Sequence, residues 1–298
     1  MRHADPPHPE EEPQSRSVVQ LLLNPASGAY SSARVWALRA ALEAQGATVI
    51  ETPCGDRPPT VADGVDHLCI VGGDGTVRDV AGALAANSEL PTLSVFPMGT
   101  INLLARETLY SRDPRRFAAH LLSAVPARSH YAAAVGDRLF FACASVGPDS
   151  AAVARVSTRL KRLIGRLAYV VAFLRVLVAW PRATIRLEVD GTPLRCEAFY
   201  VAKGRYFAGP WSFAPEAALD QPVLHLVAFA RMRRRDFLAF FWAMVRRRPI
   251  ERLNGVTCLR CTRLNADCDT PLPGQADGDI AACLPVEIAL RETPLTFR

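Results

Sequence analysis

The chain has 298 residues, half of them hydrophobic and 21% charged, a balance that excludes a polypeptide disordered throughout and leaves room for two cores. Eight cysteines over this length are too few for a disulfide scaffold, which favours a reduced, intracellular setting. The formal charge is +6 and nearly every cation is arginine, Lys161 and Lys203 being the two lysines, so an anionic partner is expected.

Residues 1–16 carry Pro6, Pro7, Glu10, Glu11 and Glu12 where a signal peptide needs an apolar stretch, and read as a disordered tail. Residues 18–23 are an apolar run halted by Asn24-Pro25, a buried strand meeting a loop. Val35, Leu38 and Leu42 give residues 31–45 a helical spacing that ends at Gly46. Residues 47–51 and 67–71 read as strands, the second stopping at Gly72-Gly73-Asp74-Gly75-Thr76. A helix over 77–86 and a strand over 92–96 follow, and Pro97-Met98-Gly99-Thr100 turns into another helix. This alternation predicts an α/β domain with a parallel sheet over 17–130, whose ligands bind at the carboxyl ends of the strands.

From residue 131 the pattern changes. Short β-like runs at 139–144, 184–189, 198–202, 223–230, 255–263 and 286–291 are separated by Gly, Pro and Asp, which predicts an antiparallel β-sandwich domain over 131–284. Helical segments at 150–180 and 235–248 interrupt it. The longest apolar stretch, 167–180, is broken by Arg175, so no membrane span is expected.

Three glycine-bearing loops follow three strands of the first half: Asn24-Pro25-Ala26-Ser27-Gly28, Gly72 to Thr76, and Pro97 to Thr100 with Asn102. Glycines let a backbone approach a ligand closely, and a following helix adds its partly positive N-terminus, so three such loops on one sheet edge predict a phosphate cradle. Asp74 at its centre suits Mg²⁺ on the phosphates, since hard cations prefer carboxylate oxygen, although an aspartate here can also cap a helix. The Walker pattern is missing, and Arg78 stands where a dinucleotide fingerprint needs its third glycine.

The arrangement resembles the diacylglycerol kinase catalytic domain family, which includes sphingosine kinases and bacterial lipid kinases. The resemblance rests on NPASG (24–28), GGDGT (72–76), PMGTINLLA (97–105), GPD (147–149), KRLIGRLAY (161–169), YFAGPWSFAPEAALD (206–220) and ADGD (276–279), in family order across almost the whole chain. It implies ATP and Mg²⁺ between the two domains, with the nucleotide contacted by the 24–28 loop, Thr52, Gly72 to Thr76, Val77, Arg78, Gly99, Thr100 and Asn102. It also implies that Asp279 is the base that deprotonates a lipid hydroxyl, one methylene shorter than the family glutamate. Asp149 corresponds to a lipid-contacting aspartate, with Pro148 in place of an aromatic residue, and is equally open to reading as a helix N-cap. Relatives often carry Asp-Gly, part of a structural Mg²⁺ site, where this chain has Gln221-Pro222; Asp220 lies one residue earlier. In the family the last strand can return to the first domain, which concerns residues 285–298.

The expected function is therefore ATP-dependent phosphorylation of diacylglycerol or a related lipid. The alternatives are an NAD kinase, which shares GGDGT, and a catalytically silent nucleotide- or lipid-binding protein. The expected setting is cytoplasmic with peripheral attachment to an anionic membrane surface. No nucleic-acid motif accompanies the arginines, and a homodimer is compatible with the sequence. Arg155, Arg159, Arg162 and Arg166 form one stripe at helical spacing, read either as membrane-facing or as an ordinary solvated face. A second basic segment, 231–248, encloses Phe237, Phe240, Phe241 and Trp242 and is open to the same two readings. Cys258 and Cys261, three apart on one proposed strand, face opposite sides and read as structural thiols.

Overall fold

The computed structural model describes residues 17–54, 59–85, 90–155, 176 and 182–298. The expected tail over 1–16, and Arg159, Arg162 and Arg166 of the arginine stripe, lie outside the described residues. So does most of the helical segment expected at 150–180.

The first sheet is built on β1 (Val18–Leu23), β2 (Thr48–Pro53), β3 (His67–Gly72) and β4 (Thr92–Pro97), all parallel. The two inner strands, β1 and β3, are apolar nearly throughout because helices cover both faces. Two more strands join them: β5 (Arg128–His130) and β18 (Leu295–Phe297), the last strand of the chain. The order is β2-β1-β3-β4-β18-β5, with β18 parallel to β4 and antiparallel to β5. Helix α1 (Ser32–Glu43) starts at Ser31, whose side chain accepts from the Arg34 N–H, and buries Val35, Leu38 and Leu42. Helices α2 (Asp74–Leu84), α3 (Leu103–Glu107) and α4 (Pro114–Leu121) complete the layer. Helix α2 begins three residues before the expected start, so the acid of the glycine loop is itself the first helical residue.

The second domain is two antiparallel sheets. One has the order β10-β9-β14-β17-β6-β7, with β6 Ala133–Val135, β7 Arg138–Phe140, β9 Ile185–Val189, β10 Thr192–Cys196, β14 Arg263–Cys268 and β17 Val286–Leu290. The other has the order β13-β12-β11-β8-β15-β16, with β8 Cys143–Val146, β11 Ala198–Ala202, β12 Leu224–Phe229, β13 Val256–Cys261, β15 Pro273–Ala276 and β16 Asp279–Cys283. Ile185, Leu187 and Val189 meet Phe199, Val201, Leu224 and Leu226 in the core between them. Helix α5 (Pro148–Ala154) follows β8. Strand β11 is buried on both faces because Tyr200 and Phe229, on the outer side, pack under Phe240 of α6 (Arg234–Val245).

Two runs expected as single strands are each two strands that step from one sheet to the other. The 139–144 run divides into β7 and β8, and the 255–263 run into β13 and β14. Each corner needs new partners for its backbone N–H groups. Asp277 accepts from the N–H groups of Phe141 (2.9 Å), Ala142 (3.0 Å) and Cys143 (3.0 Å). Asp190 accepts from Thr262 N (3.1 Å) and Arg263 N (3.0 Å). Both aspartates hold positive φ just before a glycine in a hairpin turn. Cys258 is exposed and Cys261 buried.

Candidate active site

The three glycine loops meet one another. A Cβ on Gly73 would stand 2.8 Å from Gly99 Cα, and one on Gly72 would stand 2.6 Å from Thr76 Cβ, so these positions exclude larger residues. Asn24 Nδ2 donates to Thr76 Oγ1 (2.8 Å), joining the 24–28 loop to GGDGT, and the Ser27 and Thr76 hydroxyls are 3.4 Å apart. Asn102, in the left-handed region, closes the third loop by accepting from Gly99 N (2.7 Å) and donating to Gly99 O (2.8 Å). The Thr52 hydroxyl is engaged within its own sheet, accepting from Gln20 Nε2 at 2.9 Å.

Asp74 bridges two of the loops. Its Oδ1 accepts from Leu104 N (3.1 Å), so this carboxylate caps α3 as well as opening α2. Burial pushes its pKa up, and the N–H groups of residues 102–104 oppose the shift. The helix-capping role is thus real, but the helix capped is α3 rather than the one Asp74 starts.

The β15–β16 turn reaches into this cradle from the second domain. Asp279 Oδ2 lies 3.2 Å from Arg78 Nη1, and a Cβ on Gly75 would lie 3.6 Å from the same oxygen. Arg78 is buried, and its Nε also meets Asp79 at 3.0 Å. Burial works against the guanidinium charge, but Asp79 and Asp279 outweigh it and raise its pKa. Asp277, two residues before Asp279, was missed in the sequence although it stands in the ADGD motif. Burial pushes its carboxyl up to about 6 despite three N–H donors, and the charge of Asp74 adds to the rise. Asp279 of the second domain therefore meets the GGDGT loop that holds Asp74, while Asp277 holds the 141–143 corner beside it.

A hydrogen-bond chain links this turn to Asp149. Gly278 N donates to Gln275 Oε1 (2.9 Å), Gln275 Nε2 donates to Ser145 Oγ (2.7 Å), and Ser145 Oγ donates to Asp149 Oδ2 (2.5 Å). Burial raises the pKa of Asp149, opposed by Ser145, the Ser150 N–H and the Tyr200 hydroxyl. Asp149 is in the first turn of α5, and the opening of that helix borders a cleft of about 320 Å³ lined by Gly147, Ala151, Arg155, Glu197 and Leu272.

The donors around Asp220 do not fit a structural metal. Asp220 and Gln221 are exposed. The nearby carbonyl oxygens are taken by a wholly buried ammonium: Lys203 Nζ donates to Ala218 O (2.7 Å) and Leu219 O (3.2 Å). Glu107, at the end of α3, accepts from Arg205 N at 2.8 Å on the other side of this joint. Burial pushes Glu107 up to about 7, opposed by Lys203 and Arg205, and pushes Lys203 down to about 8, opposed by Glu107 and Asp220. The lysine supplies the positive charge here.

With this geometry in view, the comparisons with known proteins are specific. Residues 18–132 match the diacylglycerol kinase catalytic domain, and residues 142–297 match the YegS C-terminal NAD kinase beta sandwich-like domain. The chain belongs to the diacylglycerol kinase catalytic domain family and carries the YegS-type C-terminal domain. A probable YegS-like lipid kinase of Pseudomonas putida is 31% identical over 166 residues, covering 55% of this chain and 56% of that one. A diacylglycerol kinase of Bacillus subtilis is 25% identical over 224 residues, 74% of each chain. The match thus spans about half the length of the Pseudomonas relative. A crystal structure of a diacylglycerol kinase from Bacillus anthracis has the same fold, with a TM-score of 0.76 at 18% identity over 96% of this chain and 98% of that one.

Proposed function

We propose that the protein is an ATP-dependent lipid kinase that transfers the γ-phosphate to a lipid hydroxyl, with diacylglycerol as the first acceptor to test. The observation that carries this reading is Asp279, an acid of the second domain held by Arg78 directly over Gly75 of the first domain's glycine loop. A carboxylate in that position serves a hydroxyl acceptor brought to a phosphate donor.

In this reading the loops at 24–28, 72–78 and 99–102 hold the nucleotide phosphates through backbone N–H groups and the amino end of α2. Asp74 would hold the divalent ion that travels with them. Its oxygen donors suit a hard cation, and a cation on Asp74 would offset the charge that adds to the burial-driven rise of Asp277. When bound, that ion neutralises charge on the transferring phosphoryl group. Asp279 accepts the proton of the lipid hydroxyl as its oxygen bonds to the γ-phosphorus. The bond from that phosphorus to the β–γ bridging oxygen breaks, and ADP leaves with the electron pair. Arg78 fixes the short side chain of Asp279 at the required place. The cleft bordered by α5, whose Asp149 is linked through Ser145 and Gln275 to Gly278 beside Asp279, is the acceptor's route.

The test is purified protein with γ-labelled ATP, Mg²⁺ or Mn²⁺, a lipid panel and NAD. Label in a chloroform-extractable lipid is the expected result. Label in NADP would favour an NAD kinase, and label in neither a silent binder.

A further inference from the structure

Helix α6 presents two unlike faces. Phe237, Phe240, Ala243 and Met244 are buried beneath it against the outer side of the third sheet. On the opposite side Leu238 is 56% exposed, Phe241 38% and Trp242 52%. These three lie at spacings of three and four, so they form one apolar patch on the outward face. Trp211 adds to its edge, its ring centroid 5.3 Å from that of Phe241. Exposed large apolar side chains grouped in this way mark an interaction surface.

What surrounds the patch identifies its partner. Arg234 and Arg235 stand at the amino end of the helix, and Arg246, Arg247 and Arg248 stand at its carboxyl end, all exposed. Between residues 231 and 248 seven arginines face a single acid, Asp236, which is held by Arg233 at 2.7 Å. The Arg246 guanidinium lies over the Trp242 ring at 4.5 Å, so charge and aromatic body share one footprint. An apolar strip with cations at both ends is the pattern of a helix lying in a membrane interface. The rings and Leu238 enter the acyl boundary while the guanidinium groups reach the phosphates. A second protein would need matching acids at both ends, whereas an anionic bilayer offers them everywhere.

The place of α6 in the fold agrees. Met232, immediately before Arg233 at the helix cap, donates its N–H to Glu197 Oε2 at 2.9 Å, and Glu197 lines the cleft beside α5. Arg182 pairs with the same carboxylate at 2.6 Å. The helix therefore starts at the wall of the cleft.

We infer that the outward face of α6, with Leu238, Phe241 and Trp242 ringed by arginine, is the surface by which this protein docks on an anionic lipid bilayer. The inference deepens the lipid-kinase reading, because an acceptor held in a membrane must reach the cleft from it. It is testable without any turnover.

The probe is vesicles of phosphatidylglycerol and phosphatidylcholine in equal parts, against vesicles of phosphatidylcholine alone. The full chain should cosediment with the anionic vesicles, and Leu238→Ser with Trp242→Ser should abolish this while the circular dichroism spectrum is kept. Replacing Arg234, Arg235, Arg246, Arg247 and Arg248 by Gln should weaken binding by about fivefold per arginine removed, and salt should mimic the loss. Lipids brominated on the acyl chain should quench part of the tryptophan emission, and that part should fall in Trp242→Phe, leaving at most the share of Trp211 at the patch edge. Binding that survives both sets of substitutions, or quenching unchanged in Trp242→Phe, overturns the inference. So does a sedimentation coefficient that falls from dimer to monomer in the Ser variant without lipid, which would make the face an interface between copies. If vesicle binding behaves as described but no lipid is phosphorylated, the docking surface stands and the kinase reading fails.

Discussion

Asp279 and Arg78 are 201 positions apart in the chain and 3.2 Å apart in space. Replacing Asp279 by Asn is expected to cut turnover by ~10²–10⁴-fold, the usual contribution of a general base, with little change in nucleotide affinity. Single-turnover rates and nucleotide titrations check both halves. Arg78→Asn should lower kcat by releasing the short acid, and adding Asp279→Glu to that variant should recover part of it by restoring reach. A double variant no better than Arg78→Asn alone would remove Arg78 as a positioning residue. Asp74 separates structure from chemistry in another way. Asp74→Ala should lose the cap on α3 and ~0.5–2 kcal/mol of stability, while Asp74→Asn keeps an acceptor and most of the stability but loses metal-dependent transfer. Thermal melts beside activity assays distinguish the two. The glycine loops and Asp74 were legible in the sequence because each follows its own strand at short range. The Arg78–Asp279 pair was not, since nothing local to either residue reports a partner two hundred positions away.

At the scale of elements, regular strands were readable from apolar runs and failed where a strand changes sheets. A run such as 139–144 stays apolar through the corner because both sheets bury their shared face. The break is set by a side chain elsewhere: Asp277 for that corner and Asp190 for the corner at Thr262. An Asp-Gly pair is a common hairpin turn, but the second role of these two, satisfying another segment's N–H groups, has no local signature. The last strand, β18, is held by a further unsignalled contact. His130 on β5 stacks on Phe297 with ring centroids 5.2 Å apart, and its Nδ1 is buried without a hydrogen-bond partner. Burial lowers its pKa to about 4, with Lys203 and Arg128 adding to the effect and Asp220 opposing it. An unfolded histidine titrates near ~6.5. The stability this neutral ring contributes is complete above that pH and is lost as pH falls toward 4. The melting temperature should therefore drop between pH 6.5 and 4.5, and His130→Phe should flatten the drop. An unchanged slope in that variant would assign the acid sensitivity to other groups.

Across the whole molecule, the chain's two families of sheet meet at the glycine loops, at β18 and at the Lys203 joint, so the acids of the second domain are fixed relative to the loops of the first. Among the described residues no helix is long and apolar enough to cross a membrane. In the lipid-kinase reading proposed above, the outward face of α6 is the surface that brings the protein to its acceptor. The Lys203 joint carries a consequence of another kind. A contact closed by a bound ion obeys mass action: its stabilisation grows with the ion's concentration relative to its Kd and fades when the ion is withdrawn. The ammonium that joins Ala218 and Leu219 is part of the chain and has no concentration to vary. Chelators should leave the melting temperature unchanged, whereas Lys203→Met should cost about 1–3 kcal/mol for each carbonyl left without its donor. Lys203→Asn combined with Gln221→Asp should make the melting temperature rise with added divalent ion. At this joint the positive charge is written into the chain itself, so the contact follows the sequence and not the ionic supply around it.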